Sequence, residues 1–159
     1  MRCCAVNGRP PTSHAELERL HALIADWLAR ELAENEVVAA VDVEAGDRRR
    51  WFVRLHGEEK ASFTIWFTLR QRTLHYETYF LPAPQRGHQA FFEHLLRRNG
   101  KLYGASFSVG EEDAIFLSGQ IANESIDELE LDRILGSMYA YVEQCFVPAL
   151  EIGFSVLYK

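Results

Sequence analysis

Two alternating runs either side of a polar turn, Ser62-Phe63-Thr64-Ile65-Trp66-Phe67-Thr68-Leu69 and Thr73-Leu74-His75-Tyr76-Glu77-Thr78-Tyr79-Phe80, constrain this chain more than any other feature. Successive side chains of a strand point to opposite faces, so the pair reads as an antiparallel hairpin. Counted outward from Gln71 and Arg72, Leu69 meets Leu74, Phe67 meets Tyr76, Ile65 meets Thr78 and Phe63 meets Phe80. That register gathers one almost wholly apolar face, and a slip by one residue sets the same side chains against polar ones. Gln-Arg is not a pair that two-residue primed turns favour, but a four-residue loop over 70–73 keeps the register. Leu81-Pro82-Ala83-Pro84 then takes the chain out of the sheet, because proline has no N–H for a ladder.

A helix follows, with Phe91, Phe92, Leu95 and Leu96 at helical spacing and Asn99-Gly100 as a predicted left-handed C-terminal cap. Upstream, Ser13-His14-Ala15-Glu16 has the pattern of a capping box, and Leu17, Leu20, Ile24, Trp27, Leu28 and Leu32 share one face of a long amphipathic helix. His14 and His21 lie too far apart for a one-turn pair of metal ligands and read as solvated. Val37, Ala39, Val41 and Val43 alternate next, and Trp51, Val53 and Leu55 alternate with Arg50, Phe52 and Arg54 after a turn at Ala45-Gly46-Asp47. Four short-looped strands therefore form an antiparallel meander. Beyond the central helix, Tyr103, Ala105, Phe107 and Val109 alternate, Gly110-Glu111-Glu112-Asp113 turns the chain, and 114–121 returns as a second hairpin. Ser125-Ile126-Asp127-Glu128 reads as another capping box. It opens a last helix whose stripe is Leu131, Ile134, Leu135, Met138, Tyr141, Val142, Cys145 and Phe146, with Gly136 weakening it and Pro148 kinking or ending it.

With 159 residues, 48% of them hydrophobic, the chain suits a single domain over 12–153, preceded by an irregular lead-in over 1–11 and followed by a tail over 154–159. No run approaches the ~20 apolar residues of a membrane helix, and the first residues lack the apolar core of a signal peptide, so a cytoplasmic protein is expected. Cys3 and Cys4 are adjacent and Cys145 is alone, which suits neither a disulfide framework nor a zinc site. No metal and no cofactor is expected. No nucleophile elbow, P-loop, dinucleotide fingerprint or paired-histidine zinc motif occurs. His75 and Glu77 share a strand face, where alternating polar residues are the ordinary outcome, and a catalytic role is disfavoured. The expectation is a protein that is not an enzyme.

The segments RRWFVRLHGEEK, QRTLHYETYFLPAP, EHLLRRNGKLYGASFSVGEED and LDRILG resemble the YbjN-domain family, described as bacterial sensory-transduction regulators. The likeness covers roughly 27–154. It implies the α+β fold of type III secretion chaperones, an antiparallel sheet of five to six strands with helices packed on one face in the order α-β-β-β-(β)-α-β-β-α. It further implies binding of partner polypeptides, commonly as a dimer, and it supplies no catalytic residue.

Charge adds an independent clue. Residues 48–101 hold eleven Lys or Arg against four Asp or Glu, while the rest of the chain is acidic enough to bring the total to −6. This implies either solvated acidic helix faces or a basic sheet surface that attracts an acidic partner. On the polar face of the hairpin, Thr64, Trp66, Thr68 and Arg70 lie beside Thr73, His75, Glu77 and Tyr79, with Phe52 and Arg54 nearby. Aromatic and Arg side chains on an open sheet face are what interfaces enrich. The expected partner-binding residues are therefore Phe52, Arg54, Trp66, Arg70, His75 and Tyr79, in a non-enzymatic polypeptide-binding module with chaperone-like or regulatory action. A homodimer and an unidentified protein partner are expected. The alternatives are a small ligand or single-stranded nucleic acid on the same basic aromatic face, which the net negative charge disfavours, and an uncharacterised enzyme. The end of the last helix or the tail folding over Trp66 is the competing structural reading.

Overall fold

A computed structural model describes residues 10–155. The register implied by the alternation is the register observed: Leu69 pairs with Leu74, Phe67 with Tyr76 and Ile65 with Thr78. These pairs belong to strands β3 (Ser62–Leu69) and β4 (Thr73–Leu81). Strands β1 (Val38–Val43) and β2 (Arg50–His56) precede them, and helix α1 (His14–Glu34) precedes the sheet. Helix α2 (His88–Asn99) then leads to β5 (Ser106–Val109), β6 (Ile115–Ala122) and helix α3 (Glu128–Gly153). All six strands form one antiparallel sheet in the order β1-β2-β3-β4-β6-β5, so β6 returns between β4 and β5.

Helices α1 and α3 bury the apolar sheet face. Trp27 of α1 stands edge-on to Phe67 of β3 at 5.9 Å between ring centres, and its Nε1 donates to Asp132 Oδ1 of α3 at 2.8 Å. Phe63 stacks on Tyr139 of α3, and Phe80 meets both Phe146 and Phe107. Trp51, Val53, Leu55, Ile65, Phe67, Leu74 and Tyr76 are almost completely buried beneath them. Helix α2 packs against the end of α3 through Phe91, which leaves no room for a Cβ on Gly153 and also contacts the buried Phe154. Cys145 is a buried core residue of α3, whose thiol is pushed up by burial. Cys3, Cys4 and residues 156–159 lie outside the described residues.

One long-range tie fixes α3 to the sheet. The Glu143 carboxylate accepts the backbone N–H groups of Glu58 and Glu59, both at 2.8 Å, and of Lys60 at 3.3 Å, holding the β2–β3 turn. Gly57 belongs to this device, since a Cβ there would collide with Glu143 Oε1. The outer edge of β5 is tied as well. Asn99 at the end of α2 accepts Phe107 N–H at 2.7 Å and donates to Phe107 O at 3.0 Å.

Several local expectations are corrected. In β1 the pairing shifts between Val38 and Ala40, so Val38 is buried while Ala39 is exposed, and the Val37, Ala39, Val41, Val43 alternation does not hold throughout. Leu32 is 45% exposed, because at 100° per residue it stands about 80° round the helix from Ile24, beyond the buried stripe. Gly100 is right-handed (φ −66°), and the left-handed residue of the loop that follows is Gly104 (φ +74°). Tyr103 precedes β5 instead of lying within it and is 70% exposed, its ring 4.9 Å from the Arg133 guanidinium. The cap of α3 is Asp127, which accepts Glu130 N–H at 2.8 Å, while Ser125 sits in a short 3-10 turn (Asn123–Ser125). The helix runs through Pro148 to Gly153. His21 is half-buried against Trp51, 4.9 Å between ring centres, and is not a solvated residue.

Candidate functional site

The second face of the sheet follows from the register. Phe52 pairs with Trp66, Trp66 with Glu77, Glu77 with Ser118 and Ser118 with Ser106, so these five residues make one cross-strand row. A second row is Arg50, Thr68, His75 and Gln120. On the other side of the first row, Arg54 pairs with Thr64 in one pair of strands, and Tyr79 pairs with Phe116, which pairs with Ser108, in another. Both large helices lie on the opposite face, and along this one the residues are half-buried or exposed. The end of α3 turns toward α2, where Gly153 O accepts the N–H groups of Gln85 and Arg86, and Phe154 packs on Phe91.

An aromatic cluster occupies the middle of this face. Phe116 lies 6.4 Å from Trp66 and 5.7 Å from Tyr79, the latter edge-on at 87°. Gly110 keeps the Phe116 ring in place, because a Cβ there lies 2.6 Å from the ring carbons. Tyr79 is 39% exposed, and its hydroxyl is pushed up mainly by burial and secondarily by Glu112. Beneath the end of β4, Lys60 Nζ donates to Tyr79 O at 3.0 Å and to Phe80 O at 2.7 Å, 5.3 Å from the Tyr79 ring centre. Burial lowers this amine to about 8.

Basic groups border the cluster. Arg50 donates to Thr68 Oγ1 at 3.2 Å and lies 3.8 Å from the Glu44 carboxylate, while Arg54 and Arg70 are exposed. The His75 imidazole is held below its usual range by burial first and then by Arg70 and Arg50, with Glu77 opposing them. His75 and Glu77 stand two residues apart on one face, about 7 Å along the strand, with no hydrogen bond joining them among the described residues. A polar hollow of about 530 Å³ opens at the corner beside His75, lined by Arg70, Ser106, Ser118, Gln120 and the backbone around Gly104 and Gly119. No group of three or more His, Cys, Asp or Glu able to hold a metal gathers among the described residues.

The structure thus brings Phe52, Arg54, Trp66, His75 and Tyr79 together on three adjacent strands, with Arg70 just past the end of β3. Phe116 escaped the sequence reading. It lies inside the unbroken apolar triplet Ile115-Phe116-Leu117, where alternation gives no sign of which residue faces outward.

A family model described as "Putative bacterial sensory transduction regulator" matches residues 21–151. The chain belongs to the YbjN family. This YbjN protein is 30% identical over 105 residues to an uncharacterised protein of Mycobacterium leprae, covering 66% of the chain and 57% of the relative. It is 31% identical over 102 residues to an uncharacterised protein of Mycobacterium tuberculosis, covering 64% of the chain and 56% of the relative. The YbjN chain therefore spans little more than half the length of the curated relatives it matches. Among solved structures it is similar to a chain of the heterodimeric ExoU–SpcU complex from the type III secretion system of Pseudomonas aeruginosa. The TM-score is 0.54 at 14% identity, over 80% of this chain and 98% of that one, a likeness of fold. The described residues form six strands in one antiparallel sheet and three α-helices, an α+β fold similar to that of the chain from the type III secretion complex. Among the described residues no helix is long and apolar enough to cross a membrane.

Proposed function

We propose that this YbjN protein is a cytoplasmic, non-enzymatic module that captures a polypeptide segment on its open sheet face, with chaperone-like or regulatory action. The observation that carries the reading is the contiguous group of Phe52, Trp66, Tyr79 and Phe116 on a face opposite the packed helices. Aromatic side chains give large contact area at small entropic cost, and rims of Arg are typical of such surfaces. Membership of a regulator family and a fold shared with a chain of a heterodimeric complex support the reading.

Combined Trp66→Ala and Tyr79→Ala substitution tests it. Partner capture from the native host should fall at least about tenfold, while far-ultraviolet circular dichroism is unchanged, since such anchors carry much of an interface's energy. Unchanged capture on an intact fold removes this face from the function, and global unfolding shows that these side chains hold the core.

Self-association belongs to the same reading, on a separate surface. An apolar groove between α2 and β5 is lined by Phe92, Leu95, Leu96, Phe107, Val109 and Ile115, with Leu96 69% and Val109 53% exposed. Arg98 and Lys101 follow Leu96 near one end, and Glu111, Glu112 and Asp113 follow Val109 at the other, a polarity that a two-fold partner complements.

A further inference from the structure

The polar hollow at the corner of the open face is not used by aromatic capture. It exists because β5 stops early. Ser106 opposite Ser118 is the last β5–β6 pair in that direction, whereas β4 and β6 stay paired as far as Thr73 and Ala122. The chain swings away there through Gly104, whose positive φ and whose carbonyl, accepting the Tyr76 hydroxyl at 2.5 Å, fix the rim.

Apart from the Ala105 methyl, the side chains left around the hollow are a guanidinium, an imidazole, two hydroxyls and a carboxamide, each able to donate hydrogen bonds. No carboxylate lines it. The Arg70 side chain makes no hydrogen bond or ion pair among the described residues, and its charge reaches His75. Arg50 adds to the potential from the same cross-strand row, although Glu44 shares its charge. Glu77, the acid nearest to His75, shares the row of Ser118 and Ser106 but does not line the hollow.

We infer that this hollow is an anion subsite for the side-chain carboxylate of an Asp or Glu in the captured polypeptide. The inference rests on the reading of the open face as a capture surface. One unpaired guanidinium among neutral donors matches a monoanion, whereas a phosphate dianion calls for more than one free cation. The register also sets a spacing. His75 and Tyr79 lie four residues apart on β4, about 13 Å at ~3.3 Å per residue, and the Trp66–Glu77 row lies midway. An extended segment laid along the strands has the same pitch. Its acidic side chain enters the hollow and its large apolar side chain meets the aromatic cluster only when the two are separated by two or four positions, because odd separations put them on opposite sides.

The test uses the full chain and a panel of capped twelve-residue peptides in a Ser/Thr background, each carrying one Glu and one Trp separated by two, three, four or five positions. Fluorescence anisotropy at low salt reads binding. The even spacings should bind and the odd ones should bind more weakly. Changing the peptide's Glu to Gln should weaken the even-spaced peptides about three- to tenfold, as losing an exposed charge-assisted pair does. Arg70→Gln should produce the same loss with the Glu peptide and no further loss with the Gln peptide. In the unmutated chain, the Glu peptide should raise the pH at which the His75 C2–H resonance titrates, and the Gln peptide should not.

Binding that follows net negative charge regardless of spacing overturns the subsite. So does equal binding of Glu and Gln peptides while Trp66→Ala still weakens both, a result that leaves the capture reading standing. A phosphoserine peptide binding more than about tenfold tighter than its Glu counterpart, with inorganic phosphate displacing both, makes the site a phosphate site and overturns the carboxylate assignment. If the Trp66→Ala and Tyr79→Ala double variant binds every peptide as the unmutated chain does, the capture surface itself falls, and the subsite with it.

Discussion

Lys60 is placed where two effects oppose each other. Two carbonyls and the rings of Tyr79, Phe80 and Phe146 favour its ammonium, while burial disfavours it and brings the amine down to about 8. In the unfolded chain the same amine titrates near its ordinary value of 10.5. Between these two values the unfolded chain holds a proton that the folded chain has released, so this residue's contribution to stability rises with pH across the window and is level on either side. Tyr76 and Tyr79 act in the opposite sense at the alkaline end, because burial raises their hydroxyls above 10.0. Comparing Lys60→Met with the unmutated chain cancels the tyrosine contribution. Urea midpoints taken from pH 8 to 10 should climb in the unmutated chain relative to the variant, and a constant difference would show that the amine is not depressed. None of this was legible in the sequence, where Lys60 is one residue of a polar turn. Its surroundings come from β4 and α3, distant in the chain.

At the scale of elements, Glu143 does for a turn what a cap does for a helix. Its carboxylate gathers the backbone N–H groups of residues 58–60, which no strand or helix satisfies. Glu143→Ala should cost about 1–3 kcal/mol in chemical denaturation, the range for hydrogen bonds to a charged acceptor. Amide exchange at Glu58 and Glu59 should quicken selectively, and a loss spread evenly over the sheet would show that the residue supports packing and not the turn. The elements themselves were readable wherever a pattern repeated. The β3–β4 register followed from the facing of Leu69 with Leu74, Phe67 with Tyr76 and Ile65 with Thr78, and the α1 stripe from Leu17 to Leu28 followed from helical spacing. Reading failed where the local signal was degenerate. Val37, Val38, Ala39, Ala40 and Val41 are all apolar, so the bulge that sets the phase of β1 leaves no trace. Ser125 and Asp127 are both good caps, and only the 3-10 turn before α3 decides between them.

For the whole molecule, the charge asymmetry resolves into two parts. Some of the basic middle pairs with the acidic helices, as Arg49 does with Glu18 of α1, and some, such as Arg54 and Arg70, stands at the open face. The open face itself was foreseeable because alternation gives both sides of a strand at once, whereas the α2–β5 groove joins two segments that share no periodicity. Leu96→Asp probes that groove. Placing a charge in an apolar contact should shift sedimentation toward the monomer with the fold retained, and an unchanged sedimentation profile would locate any self-association elsewhere. Because Asn99 already occupies the outward N–H and C=O of Phe107, those groups do not template another copy by backbone pairing. Growth by strand addition, the route to filaments, is hindered at Phe107. In the proposed dimer, contact there would be between side chains across a two-fold axis, which closes after two copies and would leave the aromatic face of each copy uncovered.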